Sequence, residues 1–149
     1  MRETIGEGLK TALKARDQRR TATLRAINAA IQDKDIANRG EGKGPATNEE
    51  ILSLLQKMVK QREESFAVYA QAGRSDLATV EKEEIDILNE FLPKPLSDAE
   101  VEAAIKAAIV ATGAEGVKDM GKVIAQLKAD YPGRIDFGKA SGQVRAALS

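Results

Sequence analysis

Two prolines, Pro93 and Pro95, interrupt a chain whose apolar residues otherwise repeat at helical spacing. A proline inside a helix removes a hydrogen bond and clashes with the preceding turn, at a cost of about 3 kcal/mol or more. The helix that precedes the prolines must therefore end near Leu92. Hence the sequence predicts an all-α chain with two domains, residues 1–92 and residues 96–149.

Seven amphipathic segments are predicted, four before the prolines and three after them. We expect the first helix from Glu3 to Ala15 and the second from about Asp17 to Ala37. The segment Asn38–Ala46 holds three glycines and a proline, which favour turns and oppose helix formation. It is expected to be a mobile, exposed loop.

The ends of the other helices are marked by capping residues. Thr47 with Glu50, and Ser97 with Glu100, have the spacing of a capping box, in which each side chain accepts the other residue's backbone N–H. Gly73 is expected to end the third helix in a left-handed conformation. The remaining helix starts are assigned to side-chain caps at Ser75 or Asp76, Asp119 and Asp136.

Composition excludes several classes of protein. The chain has no cysteine and no histidine, which removes disulfides, thiolate metal sites, the cysteine nucleophile and the commonest acid–base group. No apolar run approaches the roughly 20 residues that span a bilayer, and Met1–Lys10 lacks the apolar stretch of a signal peptide. We therefore expect a cytoplasmic protein without a cofactor.

Charge is unevenly distributed although the formal net charge is zero. Between positions 10 and 25 the chain has one acid, Asp17, and six cations: Lys10, Lys14, Arg16, Arg19, Arg20 and Arg25. Eight acids lie between Glu63 and Glu90. We favour pairing of the basic second helix with the acidic fourth helix, and the alternative is the footprint of a partner.

The acids of the fourth helix do not make a convincing metal site. Glu81, Glu83, Glu84 and Asp86 are close in sequence, but carboxylate metal sites in helical bundles draw ligands from several helices and include histidine. No metal site and no catalytic residue are predicted. Arg62 interrupts the apolar face of the third helix, so we predict a structural ion pair with Glu81 or Glu84 rather than a ligand contact.

Glycine–cation pairs mark the last third of the chain. Gly121-Lys122 stands where the sixth helix begins, and Gly133-Arg134 lies in the following turn. Glycine permits close backbone approach and a helix N-terminus attracts phosphate, so these pairs suggest contact with an RNA backbone. The alternative is a tight packing corner with solvated cations. The cations of this region are Lys118, Lys122, Lys128, Arg134 and Lys139.

Four motifs occur together in order: KQR (Lys60–Arg62), the E-x-x-E of Glu81 and Glu84, FLP (Phe91–Pro93) and DMGKV (Asp119–Val123). In this combination the chain resembles the YqeY family over nearly its whole length. The resemblance implies a four-helix N-terminal domain and a three-helix tail similar to that of the B subunit (GatB) of the tRNA-dependent amidotransferase. There the tail contacts the tRNA elbow. It also implies kinship to carbon–nitrogen ligases with glutamine as amido donor.

The residues themselves argue against independent catalysis. Nothing in the chain supplies a glutaminase nucleophile, an ATP-binding loop or a metal site. We therefore expect a tRNA-interacting accessory protein whose weak backbone contacts use the five cations of the tail. The alternative is a helical adaptor for an aminoacyl-tRNA synthetase or an amidotransferase, and a free-standing amidotransferase comes third.

Overall fold

The computed structural model describes all residues from Met1 to Ser149 and contains helices but no β-strand, which confirms the all-α fold class. Contacts within the chain divide it into two compact units, Met1–Leu92 and Pro93–Ser149. That each unit folds as an independent domain stays a prediction. None of the helices combines the length and the apolar character needed to cross a membrane.

Four helices build the first unit. They are α1 (Arg2–Lys14), α2 (Gln18–Gly40), α3 (Asn48–Gln71) and α4 (Ser75–Asn89). α1 packs on α2, α3 packs on α4, and α2 also contacts both α3 and α4. The core is aliphatic, and its fully buried side chains include Ile5, Leu24, Ile51, Leu55 and Leu88. Burial of these residues is the main favourable contribution to folding of the unit.

Three helices build the second unit. They are α5 (Asp98–Thr112), α6 (Met120–Asp130) and α7 (Phe137–Leu148), and a short 3-10 turn, Val117–Asp119, precedes α6. Each helix contacts the other two. Val123, Leu127, Ala140 and Val144 are fully buried between them. We expect this unit to be the less stable of the two, because it is shorter and its buried residues are smaller, mainly valine and alanine.

The helix α2 is longer than the sequence predicts. It continues to Gly40 rather than ending at Ala37, and the Asn38 side chain is buried with its amide nitrogen 3.3 Å from Glu50 Oε2. Gly42, with φ +74°, then reverses the chain so that the Lys43 N–H reaches the Asn38 carbonyl at 2.7 Å. The prediction of an exposed loop from Asn38 is therefore wrong at its start, because a residue of α3 satisfies the buried amide.

The far end of the predicted loop, Ala46, is held by hydrogen bonds to α1 and α2. Ala46 is buried, and its N–H donates to Asp35 Oδ1 at 2.7 Å. Arg2 of α1 donates to the Asp35 carboxylate at 2.9 Å and to the Ala46 carbonyl at 3.2 Å. The Arg2 guanidinium and the Ala46 N–H lower the pKa of Asp35 from 3.8 to about 2. Only the middle of the predicted loop is exposed.

Helix caps follow the sequence in part. Both capping boxes, at Thr47 with Glu50 and at Ser97 with Glu100, are confirmed, and Asp136 caps α7 as predicted. Asp119 does not cap α6, because its carboxylate accepts the Glu115 N–H at 3.0 Å. Neither Ser75 nor Asp76 caps α4, since Arg74 occupies the cap position and pairs with Asp76. In both wrong assignments another group binds the carboxylate that was expected to cap the helix: the Glu115 N–H binds Asp119, and the Arg74 guanidinium binds Asp76.

The turn after α1 contains a backbone conformation that arginine rarely adopts. Arg16 has φ 57°, whereas the left-handed positions that end α2, α3 and α5 are the glycines Gly42, Gly73 and Gly113. The Arg16 N–H donates to the Leu13 carbonyl at 3.2 Å, and the Asp17 N–H to the Ala12 carbonyl at 3.0 Å. These hydrogen bonds hold the turn in place.

Arg16→Gly is therefore expected to stabilise the protein. A left-handed conformation costs a non-glycine residue about 1–2 kcal/mol, and glycine loses about 0.5–1 kcal/mol more chain entropy on folding. The free energy of unfolding should rise by about 0.5–1 kcal/mol, measured by urea denaturation. Ala15→Gly is the control, because Ala15 has a right-handed backbone and should lose stability. A loss of stability in Arg16→Gly would refute the left-handed conformation of Arg16.

Candidate functional site

The five cations predicted to contact RNA all belong to the second unit. Lys118 lies in the 3-10 turn, Lys122 and Lys128 lie on α6, Arg134 lies in the turn between α6 and α7, and Lys139 lies in the first turn of α7. The four lysines are exposed and Arg134 is half-buried. The lysines are thus available to an anionic partner.

The acids beside these lysines hold them only weakly. Lys122 Nζ lies 3.7 Å from Asp119 Oδ1, and Lys139 Nζ lies 3.7 Å from Asp98 Oδ1. Both lysine side chains are about two-thirds exposed, at 69% and 66%. Exposed pairs of this kind contribute roughly 0–1 kcal/mol, so a phosphate group can displace the carboxylate.

One carboxylate, Asp119, lies beside two cations at the start of α6. The Glu115 N–H lowers the pKa of Asp119, and the charges of Lys122 and Lys118 lower it further. The Glu115 carboxylate lies four residues before Asp119, so residues 115–122 hold two acids and two lysines. The charge at this helix start is therefore balanced, and the two lysines are distinguished by their exposure.

Arg134 and Lys128 have roles inside the unit that the sequence does not reveal. Arg134 Nε donates to the Lys94 carbonyl at 2.9 Å, and the Arg134 carbonyl accepts the Leu96 N–H at 2.9 Å. Arg134 thus fixes the segment before α5 to the α6–α7 turn. Lys128 Nζ lies 5.6 Å from the centre of the Phe137 ring, within the range of a cation–π interaction.

Arg145 is a cation that the sequence reasoning missed. It lies in the last turn of α7, is exposed and has no ion-pair partner. Arg145 lies six residues from Lys139, which places the two side chains about 120° apart around the axis of α7. Arg145 is therefore a separate cation, and the sequence holds no spacing signal that joins it to Lys139.

The predicted ion pair of the first unit is present with one of its two candidate acids. Arg62 Nε lies 2.6 Å from Glu84 Oε2, and both side chains are about four-fifths buried, with 19% and 18% exposed. Arg62 Nη1 also donates to the Met58 carbonyl at 3.3 Å. Glu81 forms no ion pair with Arg62. That the pair stabilises the fold stays a prediction.

Pairing between the basic second helix and the acidic fourth helix is confirmed for two arginines. Arg19 Nε lies 3.1 Å from Glu83 Oε2 on α4, and Arg20 Nη1 lies 2.6 Å from Glu90 Oε2 just after it. Glu84 receives a second cation, Arg19, at 3.9 Å. No group of three or more histidine, cysteine or acidic side chains is arranged to hold a metal ion.

Comparison with known proteins gives the same family as the motifs. The model of the family described as "Yqey-like protein" matches residues 2–148. Three relatives are called "Altered inheritance of mitochondria protein 41, mitochondrial". The one from Eremothecium gossypii is 28% identical over 97% of this chain and 79% of its own length.

The other two relatives align over shorter segments. The protein from Pyrenophora tritici-repentis is 27% identical over 85% of this chain and 68% of its own length. The protein from Lachancea thermotolerans is 32% identical over 68% of this chain and 54% of its own length. These names place the relatives in mitochondria, and the cytoplasmic location of this chain stays a prediction. Because the family model covers nearly all of the sequence, this chain belongs to the YqeY family.

Proposed function

We propose that this chain is a non-catalytic accessory protein that binds tRNA through the unit formed by α5, α6 and α7. The observation that carries the proposal is the start of α6, where the exposed side chains of Lys118 and Lys122 lie beside Asp119 and are held only weakly by it. Lys139 extends the cationic surface to the first turn of α7. The relation to the tail of a glutamine-dependent amidotransferase, a carbon–nitrogen ligase, belongs to the same proposal.

Recognition is expected to use phosphates rather than bases. Proteins that bind unpaired bases stack them on exposed aromatic rings. Tyr131 and Phe137, the aromatic residues of this unit, are partly buried and pack against its core. A contact limited to phosphates is weak, micromolar at best, and sensitive to salt.

A matched pair of lysines tests this proposal. Lys122 pairs with an acid three residues earlier, Asp119, and Lys106 on α5 pairs with an acid four residues earlier, Glu102. Both lysines are exposed, with 69% and 74% of the side chain accessible. Lys122→Glu should weaken tRNA binding about tenfold, because one phosphate contact is replaced by a repulsive charge. Lys106→Glu should change affinity by less than threefold.

The measurement is fluorescence anisotropy of labelled total tRNA at low salt. Melting temperatures of the two variants establish that both remain folded. Equal losses of affinity in Lys122→Glu and Lys106→Glu would contradict a contact at the start of α6. They would indicate a response to net charge alone.

A second candidate is a helical adaptor for an aminoacyl-tRNA synthetase or an amidotransferase. It is favoured by Phe66 and Val68 near the end of α3, which are 38% and 63% exposed and lie outside the core of the first unit. Binding of a purified synthetase or amidotransferase that Val68→Glu abolishes would support it. The cytoplasm and mitochondria both contain tRNA, so either location is compatible with the first candidate.

A further inference from the structure

The six cations between positions 10 and 25 fall into groups with different environments. Arg19 and Arg20 pair with acids of α4 or just after it. Lys10, Lys14, Arg16 and Arg25 are exposed and have no hydrogen bond or ion pair through their side chains. We call the first three, which lie at the end of α1 and in the turn after it, the α1–α2 corner. Pairing between helices therefore does not account for its charge.

Two acids are close to the corner in sequence, and neither pairs with it. Glu7 lies three residues before Lys10 on α1, is exposed and forms no ion pair. The other acid is Asp17. Its carboxylate caps α2 by accepting the Arg20 N–H at 3.0 Å. The corner thus keeps its positive charge in the folded protein.

Electrostatics of the helix end explains only one of the three cations. The C-terminus of a helix attracts cations, but the effect falls off within the last turn. Lys14 lies in the last turn of α1, whereas Lys10 lies one turn earlier and Arg16 lies beyond the helix. The charge of the helix end therefore does not explain Lys10 and Arg16.

The backbone of Arg16 gives independent evidence that its side chain is used. The other three helices with a left-handed end have glycine there, at Gly42, Gly73 and Gly113. Arginine at φ 57° is strained, and strained residues cluster at functional sites. The backbone hydrogen bonds of the turn compensate this strain, and the exposed side chain makes no hydrogen bond or ion pair within the unit. Arginine at a position that favours glycine is therefore not explained by bonds inside the unit.

We propose that the α1–α2 corner is a second RNA contact, which binds the phosphate backbone through Lys10, Lys14 and Arg16. The inference rests on the proposed function. Lys10 and Lys14 are one helical turn, about 6 Å, apart on the same side of α1, a spacing that suits successive charges along a nucleic-acid strand.

The chemistry of the corner favours RNA over other anionic partners. Membrane-surface helices need a broad apolar face, and the apolar side of α1, with Ile5 and Ala12, is buried in the core. Protein interfaces have an apolar centre. Leu13, at 47% exposure, is the only large apolar residue exposed among the corner cations, which is too little to form such a centre. A ridge of exposed cations fits a phosphate backbone.

A charge-matched pair of double variants tests the proposal in the intact chain. Lys10→Glu with Lys14→Glu is compared with Lys57→Glu with Lys60→Glu, which alters two exposed, unpaired lysines of α3. The corner variant should weaken binding of total tRNA at least tenfold and reduce the log–log salt slope by about two. The α3 variant should lose less than threefold. Similar losses in the two variants would overturn the proposal.

Arg16→Gly separates a binding role from a structural role. Removal of the strained side chain should raise the melting temperature and weaken tRNA binding about three- to fivefold, a combination that a purely structural residue would not give. Unchanged tRNA affinity would overturn the proposal and leave an acidic protein surface as the partner.

If the wild type binds tRNA and Lys122→Glu weakens binding, but the corner variants do not weaken it, only this inference fails. If the wild type does not bind tRNA at low salt, the proposed function fails as well.

Discussion

Replacing Leu127 with alanine is expected to unfold the unit Pro93–Ser149 while Met1–Leu92 remains folded. Leu127 is fully buried between the helices α5, α6 and α7. A Leu→Ala change at such a site costs about 2–5 kcal/mol, through lost burial and the cavity that remains. A single core in a unit below about 70–80 residues rarely supplies more than 3–5 kcal/mol, so the change removes most of its stability.

The two units are resolved by heteronuclear NMR of Leu127→Ala. Amide signals of α5, α6 and α7 should collapse to random-coil positions, and signals of α1 to α4 should keep their dispersion. Leu127→Met is the control, since it conserves volume and should retain both sets of signals. Loss of both sets in Leu127→Ala would show that the units fold as one and would refute the two predicted domains.

Removal of Arg62 is the second change with a large expected effect. Arg62→Ala leaves the Glu84 carboxylate mostly buried, with only Arg19 at 3.9 Å as a charged partner. Hydrogen bonds to charged groups contribute about 1.5–3 kcal/mol, and the free energy of unfolding should fall by that amount. Affinity for tRNA should not change, because the side chain holds α3 against α4.

The fourth helix provides a matched control for this prediction. Glu84→Ala should destabilise the chain and show strong coupling to Arg62→Ala in a double-mutant cycle. Glu81→Ala removes the other predicted partner, which has no ion pair with Arg62, and should be nearly neutral. If Arg62→Ala left stability unchanged but abolished tRNA binding, Arg62 would be a ligand contact instead.

Most of the helical architecture could be predicted because its signals are local. The capping boxes at Thr47 and Ser97, and the left-handed glycine at Gly73, act within four or five residues of the helix ends that they define. The end of α2 is different. Asn38 remains helical because Glu50, on the next helix, satisfies its buried amide, and no local pattern contains that information.

The candidate site was predictable in residue type but not in contact. The cations of the tail could be found from the sequence, yet the bond from Arg134 to the Lys94 carbonyl joins residues forty positions apart. The choice of Glu84 over Glu81 as partner of Arg62 depends on how α3 crosses α4. Strain at Arg16 was also hidden, because a left-handed arginine has no sequence signature.

The salt dependence of tRNA binding by the intact chain tests the central claim most directly. Affinity for total tRNA is measured by anisotropy between about 50 and 200 mM salt, for the wild type and for Lys122→Glu. Contacts with about three to five phosphates predict a log–log slope of roughly −3 to −5 for the wild type, reduced by about one in Lys122→Glu. Absence of binding at low salt, or a slope that Lys122→Glu leaves unchanged, would contradict it.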